Sequence, residues 1–315
     1  LQNSLLMKNI KCLTFCCILF ATALQAQITD VINSNRPGES QMPFSVGRYV
    51  LQVETGGKYN YENHEYLGYE AEGFTGKLDF RMGFLLETLE FIGEIEYQKD
   101  EYTRNFEVRD RAGIKNLTAG VKYLIYDPFK YYEREIDLKS WKNNQRMSKT
   151  EYLPSVAVYG GAHFALDDSP FDYNPLPEPT INAKAGVLIQ NKVFRQTNFV
   201  TNIFYDRFLS DAKSINYIIT LTQGFNYLWS GFIENQGYFG DYYADQIARA
   251  GLAFLITPDL QIDASAGTNF KNTPQLFNAG LGLSWRLTRF HKPQEIEKNV
   301  SKAERKQNKR NKKKK

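Results

Sequence analysis

The alternation of apolar and polar positions is clearest from Gln275 to Phe290. In its central part, apolar residues fall on every second position and the residues between them are small or polar. Side chains of an extended chain point alternately to opposite faces, so one face of this stretch is continuously apolar. The pattern predicts a β-strand, but by itself it fits a soluble antiparallel sheet and a lipid-facing barrel strand equally well.

The same alternation recurs along the chain and predicts an all-β fold of about twelve strands. An even number suits an antiparallel transmembrane β-barrel with both ends in the periplasm, and ten or fourteen strands remain as alternatives. Clusters of Tyr and Phe near strand ends suit two aromatic girdles at the headgroup level. The predicted strands are Arg48 to Tyr61, Phe74 to Phe84, Leu89 to Gln98, Leu117 to Ile125, Tyr152 to Phe164, Thr180 to Ile189, Asn198 to Phe208, Ile215 to Gly224, Tyr227 to Gln236, Gln246 to Ile256, Leu260 to Phe270 and Gln275 to Phe290.

The connections between these strands favour an outer-membrane barrel. Three long polar stretches, Asn60 to Ala71, Lys99 to Arg111 and Ala165 to Pro179, fall on the side predicted to be extracellular. Tight turns such as Leu85 to Thr88 fall on the periplasmic side, and this asymmetry is typical of outer-membrane barrels. The long periplasmic segment Asp127 to Thr150 breaks the rule, so it is either an extra element or a sign of a miscounted strand.

The N-terminus has the features of a secretion signal. A short basic start at Met7 precedes the apolar run Cys12 to Leu24, and Ala26 is a small residue at which a peptidase can cut. We therefore predict a signal peptide over residues 7–26 and export across the inner membrane of a Gram-negative bacterium. All three cysteines fall inside this leader, so the mature chain needs a source of stability other than disulfides. A closed barrel in the outer membrane supplies one, and a soluble periplasmic β-domain is the alternative.

Two irregular segments flank the predicted barrel, which spans residues 45–290. Gln27 to Phe44 is rich in turn formers, and we expect it to fold into the barrel interior. Residues 291–315 form a basic tail in which Lys292 to Lys315 holds eleven Lys or Arg against three Glu, while the rest of the chain is mildly acidic. Such a tail is expected to be disordered, and its plausible partners are anionic lipid headgroups, acidic cell-wall material or an acidic protein surface. A solvated tail without a specific partner is equally compatible, and nucleic acid is not expected for an exported chain.

The polar faces of the strands would line the barrel interior. Charges placed there either pair and hold the wall together or line a polar route through it. We also hypothesise that Arg36 and Glu39, from the irregular lead-in, dock onto the charged first strands. The lumen candidates are Glu54, Lys58, Lys77, Asp79, Arg81, Glu90, Glu94, Glu96, Lys122 and Lys184.

The sequence offers little support for an enzyme. The barrel region has two histidines, His64 in a predicted loop and His163 near a strand end, and it carries no H-E-x-x-H, G-x-S-x-G or phosphate-loop motif. An outer-membrane lipid hydrolase would need His163 beside a Ser or Asp partner, and we rank that hypothesis last. We expect no cofactor and no metal site.

A short motif and three strands resemble a known family. The motif is an Arg-Pro turn, and it is followed by the strand Gly47 to Gly56 (GRYVLQVETG); the stretches Leu117 to Tyr123 (LTAGVKY) and Pro154 to Gly161 (PSVAVYGG) continue the likeness. Together they resemble the outer-membrane transporter family labelled "MetA-pathway of phenol degradation". The resemblance implies a β-barrel that takes up small, apolar or aromatic compounds, and it assigns no binding residues. The motif residues are Arg36, Pro37, Gly38 and Glu39.

Two functional hypotheses follow from these features. In the first, the chain is an outer-membrane barrel, surrounded by lipid, that passes or binds a small molecule. In the second, the barrel does not conduct and serves as a structural or assembly partner, acting through the basic tail and the segment Asp127 to Thr150.

Overall fold

A computed structural model describes residues 31–130, 139–140, 147–166, 169–171, 179–211, 213–241 and 243–288. The predicted signal peptide, the basic tail, Phe290 and much of Asp127 to Thr150 lie outside these residues. Within the described part of the chain, twelve antiparallel strands form a closed barrel. The strands are β1 Leu51–His64, β2 Tyr69–Gly83, β3 Leu89–Arg104, β4 Glu107–Tyr126, β5 Ser155–Phe164, β6 Ile181–Phe194, β7 Thr197–Asp206, β8 Ser214–Gly224, β9 Trp229–Gly240, β10 Ala244–Thr257, β11 Leu260–Asn269 and β12 Gln275–Leu287.

The barrel closes where the last strand pairs with the first. Each strand pairs with its neighbours in sequence, and β12 pairs with β1 in a register that places Leu283 opposite Thr55. Closure leaves no unpaired strand edge, which is what a sheet in a bilayer requires. The prediction of a twelve-stranded antiparallel barrel is therefore confirmed.

The outer surface carries the apolar face that the alternation predicted. Phe80, Ile203, Ile233 and Leu252, on four different strands, are all exposed. A continuous exposed apolar belt is unfavourable in water, whereas the hydrocarbon layer of a membrane solvates it well.

The apolar belt on β12 is bounded by two aromatic residues. Phe277 and Trp285 are both exposed and lie on the same face of the strand. Their separation is about 27 Å along the strand, and the tilt of the strands in a barrel reduces it to about 20 Å across the membrane. This is close to the roughly 25 Å apolar band of outer-membrane barrels.

Two of the predicted loops are strands, so that part of the prediction was wrong. β1 and β2 run through Asn60 to Ala71 and leave only residues 65–68 between them, and β3 and β4 run through Lys99 to Arg111 and leave only residues 105–106. The charged residues there continue the ladder because they pair across strands, as Arg111 does with Asp100 at 2.8 Å. These strands exceed the roughly ten residues that cross a bilayer, and loop lengths at the two ends of the barrel therefore differ less than predicted.

The two longest connections follow β4 and β5. Of the first, the described part includes a 3-10 helix, Lys149–Tyr152, which delays the start of β5 to Ser155. The second, residues 165–180, is long as predicted and is described only in part. In the described part of the chain, no helix is long and apolar enough to cross a membrane.

The irregular lead-in occupies the barrel interior. Residues 31–46, called the plug segment below, form neither helix nor strand. Phe44 anchors this segment on a cluster of inward-facing apolar residues. Those residues come from β3 to β8: Ile92, Leu124, Ala157, Tyr159, Leu188, Phe204 and Ile218. Both ends of the strand array, the start of β1 and the end of β12, lie at the end of the barrel where the plug segment enters.

Candidate functional site in the barrel interior

The inward faces of β1 to β4 carry a chain of ion pairs. Arg81 binds Glu54 at 2.9 Å and Glu90 at 2.8 Å, and Lys122 binds Glu90 at 3.1 Å. All four side chains are fully buried. Buried charges are tolerated only when they are paired and hydrogen-bonded, and here opposite charges alternate on adjacent strands.

The cations of this chain also hold the backbone of the plug segment. Lys122 Nζ donates to the carbonyl oxygens of Met42 at 2.8 Å and Phe44 at 3.0 Å. Arg81 Nη1 donates to the carbonyl oxygen of Asn33 at 2.7 Å. These bonds replace the ones that an irregular backbone cannot make with itself.

The carboxylates of the chain accept the remaining donors of the plug backbone. Glu54 accepts hydrogen bonds from the N–H groups of Asn35 at 3.3 Å and Arg36 at 3.2 Å, and Glu90 accepts one from Val46 at 2.8 Å. One cluster of charges therefore serves both the wall and the plug segment.

The guanidinium of Arg36 lies in a cradle made by two glycines. It donates to Asp263 of β11 through Nε at 3.2 Å and Nη2 at 3.0 Å. Gly56 of β1 and Gly282 of β12 lie opposite each other, and a Cβ on them would come within 2.5 Å and 2.1 Å of the guanidinium. The hypothesis that Arg36 docks onto the charged first strands therefore holds only in part. Its backbone N–H reaches Glu54 and its guanidinium lies against Gly56 of β1, but its ion-pair partner is Asp263 of β11. The long side chain of Arg36 extends past Gly56 and Gly282, and its guanidinium pairs in a bidentate manner with Asp263 of β11.

Glu39 contacts the first two strands. Its carboxylate pairs with Lys58 of β1 and with Lys77 of β2, the latter at 2.7 Å. Burial alone would raise the pKa of Glu39, but the two ammonium groups outweigh it and hold the pKa well below the ordinary value.

On the opposite side, the plug segment meets a single carboxylate of β9. Glu234 accepts hydrogen bonds from the N–H groups of Glu39 at 3.0 Å and Ser40 at 3.2 Å, and it pairs with Arg249 at 3.0 Å. Gly38 permits this approach, because a Cβ there would lie 2.6 Å from the carboxylate. Three members of the predicted motif, Arg36, Gly38 and Glu39, thus lie against interior charges.

Gln41 bridges two more strands. Its backbone N–H donates to Asn202 Oδ1 at 2.7 Å and its carbonyl accepts from Asn202 Nδ2 at 2.8 Å. Its side chain donates to Glu94 of β3 at 2.9 Å, and Glu94 also accepts from Thr118 at 2.9 Å. The amide of Asn202 therefore imitates a strand neighbour for one residue of the plug segment.

The other predicted lumen candidates lie around this network. Lys77 Nζ is 3.6 Å from Asp79 and 4.0 Å from Glu96. Lys184 lies over the rings of Tyr159 and Phe204, with Nζ 5.8 Å and 5.0 Å from the ring centroids. The sequence-based list omitted Asp263, Glu234, Arg249 and Asn202. Asp263 is the one charged residue of β11 and lies at an inward position, which was an available clue to its role.

A cavity of about 250 Å³ separates the plug segment from β7 to β10. It lies toward the end of the barrel at which the plug segment enters, beside the turn between β8 and β9. Pro37 is among its lining residues on the plug side. The wall of this cavity is formed by uncharged inward residues: Val200, Thr220, Thr222, Phe232, Ala253 and Leu255.

The two histidines lie apart from the plug network. His163 Nε2 is 3.4 Å from Arg207 Nη2, and His64 Nδ1 accepts a hydrogen bond from the N–H of Leu67 at 3.1 Å. Among the residues that the structure describes, no group of three or more His, Cys, Asp and Glu side chains is arranged to hold a metal ion.

Comparison with known proteins identifies a family and a fold. The model of the family described as "Putative MetA-pathway of phenol degradation" matches residues 34–287, from the plug segment to the end of β12. A search of curated proteins found no match.

Solved structures that resemble this chain are outer-membrane barrels. An outer membrane channel from Pseudomonas putida F1 is 10% identical with a TM-score of 0.51, and the alignment covers 81% of this chain and 100% of that one. The NanC porin is 12% identical with a TM-score of 0.45, at 75% and 100% coverage. The CymD monoaromatic hydrocarbon channel is 8% identical with a TM-score of 0.41, at 84% and 95% coverage. At these identities, the first of the three shows a shared barrel fold and nothing further.

Proposed function

The chain belongs to the MetA-pathway of phenol degradation family, and from that premise we propose that it is an outer-membrane channel for a small, apolar or aromatic molecule. In this proposal the plug segment closes the channel at rest, and its displacement opens a route along the interior. The substrate class follows from the family's description, and the gating role follows from how the plug segment is held.

One observation carries the gating part of the proposal. The plug segment is attached to the wall mainly by side chains, such as Lys122, Glu54 and Glu234. Within the described residues, its direct backbone bond to the wall is Ile32 N–H to the carbonyl oxygen of Pro258 at 2.7 Å. Because the segment is not a strand of the sheet, it can leave its place without breaking a barrel hydrogen bond.

Conductance in planar bilayers tests the proposal. We expect the full chain to conduct weakly and a variant that lacks residues 31–44 to conduct strongly, since the deletion removes the obstruction. A variant that lacks residues 291–315 is the matched control and should behave like the full chain. A plug-deleted barrel that migrates as folded and does not conduct would contradict the proposal. A closed barrel that co-purifies with a partner only when Lys292 to Lys315 is present would instead support the structural or assembly role.

A reversible lock tests the same idea without a deletion. Ser34 Oγ of the plug segment is 2.7 Å from Ser284 Oγ of β12, a separation that suits a disulfide after Ser34→Cys and Ser284→Cys. We expect oxidation to lower the flux of small molecules in liposome swelling and reduction to restore it. Equal flux in both redox states would show that movement of the plug segment is not needed.

A further inference from the structure

The cavity between the plug segment and β7 to β10 differs in chemistry from the charged interior face of β1 to β4. We propose that it is a binding site for a neutral molecule of about one ring that carries a hydrogen-bonding group. This inference rests on the proposed function and specifies the ligand and its place in the barrel.

The volume of the cavity limits the size of the ligand. At about 250 Å³, it lies below the roughly 300–1,000 Å³ of pockets that hold drug-sized molecules. A single ring with one or two small substituents fits such a space, whereas an oligosaccharide or a long acyl chain does not.

The lining of the cavity selects against charge. Arg36 is the charged residue among those that line it, and its guanidinium is already paired with Asp263. An anion or a cation would therefore lose part of its hydration without gaining a free counter-charge, which disfavours its binding. Phe232 and Leu255 instead offer apolar contact to an uncharged ring.

One buried polar atom beside the cavity lacks a partner. Asn33 is part of the cavity lining, and its amide nitrogen Nδ2 is buried with no hydrogen-bond partner among the residues that the structure describes. A buried donor without a partner costs free energy, and rotation of the Asn33 amide toward the cavity would let Nδ2 donate to an acceptor oxygen on a ligand and remove that cost. A hydroxyl group on the ring meets this requirement.

The position of the cavity assigns it to the exit side of the channel. It lies toward the end of the barrel at which both β1 begins and β12 ends, which is the periplasmic end in the proposed orientation. A molecule bound there has passed most of the plug segment and remains in contact with Ile32 and Pro37.

Equilibrium binding of two matched probes tests the inference. The full chain in lipid nanodiscs is titrated calorimetrically with p-cresol, which is neutral, and with 4-methylbenzoate, which is anionic, and empty nanodiscs give the background. We expect the benzoate to bind at least about tenfold more weakly than p-cresol, a difference of about 1.4 kcal/mol. Equal binding of the two probes, or binding of p-cresol no greater than to empty nanodiscs, would overturn the inference.

Two substitutions on one strand locate the site. Ala253→Phe places a ring in the cavity, whereas Ala250→Phe places the same ring on the exposed outer face of β10. We expect a loss of p-cresol affinity of at least about tenfold for the first and no change for the second. If Ala253→Phe does not fold, Phe232→Ala enlarges the same cavity and should improve the binding of 4-tert-butylphenol relative to p-cresol. An unchanged preference in that variant would also overturn the inference.

The outcomes separate this inference from the proposed function. If the plug-deleted variant conducts but the full chain does not bind p-cresol, the channel proposal is supported and the binding site is contradicted. If p-cresol binds saturably to a barrel that never conducts, the binding site is supported and the channel proposal is contradicted.

Discussion

The two sides of the barrel interior treat the plug segment in different ways. On β1 to β4, which we call the charged wall, fully buried groups such as Arg81, Glu90 and Lys122 bind one another and the plug backbone. On β7 to β10, the residues that line the cavity, which we call the cavity wall, are uncharged and leave about 250 Å³ unfilled. Both walls are built by the same alternation of strand residues, so the difference lies only in the side chains.

The comparison teaches how an irregular segment can be held and still be released. Hydrogen bonds to charged groups contribute about 1.5–3 kcal/mol each, so the charged wall fixes one side of the plug segment firmly. The cavity wall contributes mainly apolar contact, and the carboxylate of Glu234 is the nearest strong acceptor on that side. Displacement therefore begins most easily at the cavity wall, while the charged wall acts as the anchor.

The largest expected effect comes from breaking the charged wall. Arg81→Met removes the cation between Glu54 and Glu90 and leaves two buried carboxylates with fewer partners. We expect the free energy of unfolding to fall by about 3–5 kcal/mol, measured by urea denaturation of the barrel in lipid vesicles.

A surface ion pair provides the control for this substitution. Arg109 pairs with Glu107 at 2.9 Å, and both side chains are exposed. Arg109→Met should change the free energy of unfolding by less than about 1 kcal/mol. If the two substitutions cost the same, the charged wall is not an anchor.

The second effect comes from displacing Arg36 without changing any charge. Gly282→Ala would put a Cβ 2.1 Å from the guanidinium, so the Arg36 side chain must shift, and we expect its pair with Asp263 to weaken. We expect a loss of about 1–3 kcal/mol in stability and more frequent channel openings in bilayer recordings. Gly57→Ala is the matched control, because a Cβ there meets nothing within 4 Å and the residue lies on the outer face of β1. Equal opening frequencies in the two variants would show that the glycine cradle of Arg36 does not help to hold the plug segment in place.

The barrel was predictable from the sequence because its rule is local. One residue in two faces lipid, so Leu281, Leu283 and Trp285 identify β12 without knowledge of any other strand. The strand ends within Asn60 to Ala71 were harder to predict. Charged residues that continue a β-ladder beyond the apolar belt resemble loop residues in composition. The pairing of Arg111 with Asp100, which extends β3 and β4, depends on a register that composition does not reveal.

The partners within the site were less predictable than its members. The charged residues of β1 to β4 stand out in the sequence because they cluster on one face of consecutive strands. Asp263 does not stand out in this way, because it is the only charged residue on β11 and its partner Arg36 lies far away in the chain. Contacts of an irregular segment with a barrel interior depend on how the segment folds back, and no sequence period encodes that path.

The smallest expected effect concerns pH and separates a charged from an uncharged contact of the plug segment. Glu39 faces Lys58, Lys77 and Arg249, and its pKa in the folded protein is held well below the ordinary value of 4.5. A carboxylate with a lowered pKa stabilises the fold above that ordinary value, and the contribution is lost as the pH falls below 4.5 toward the folded-state pKa. The difference in unfolding free energy between the unmodified chain and Glu39→Gln should therefore be constant from neutral pH down to about 5 and shrink below 4.5. Asn202→Ala removes an uncharged contact of the plug segment on β7 and should give a difference that does not change over the same range. If the difference for Glu39→Gln stays constant down to about pH 3, where an unperturbed Glu is already protonated, the Glu39 carboxylate does not help to anchor the plug segment.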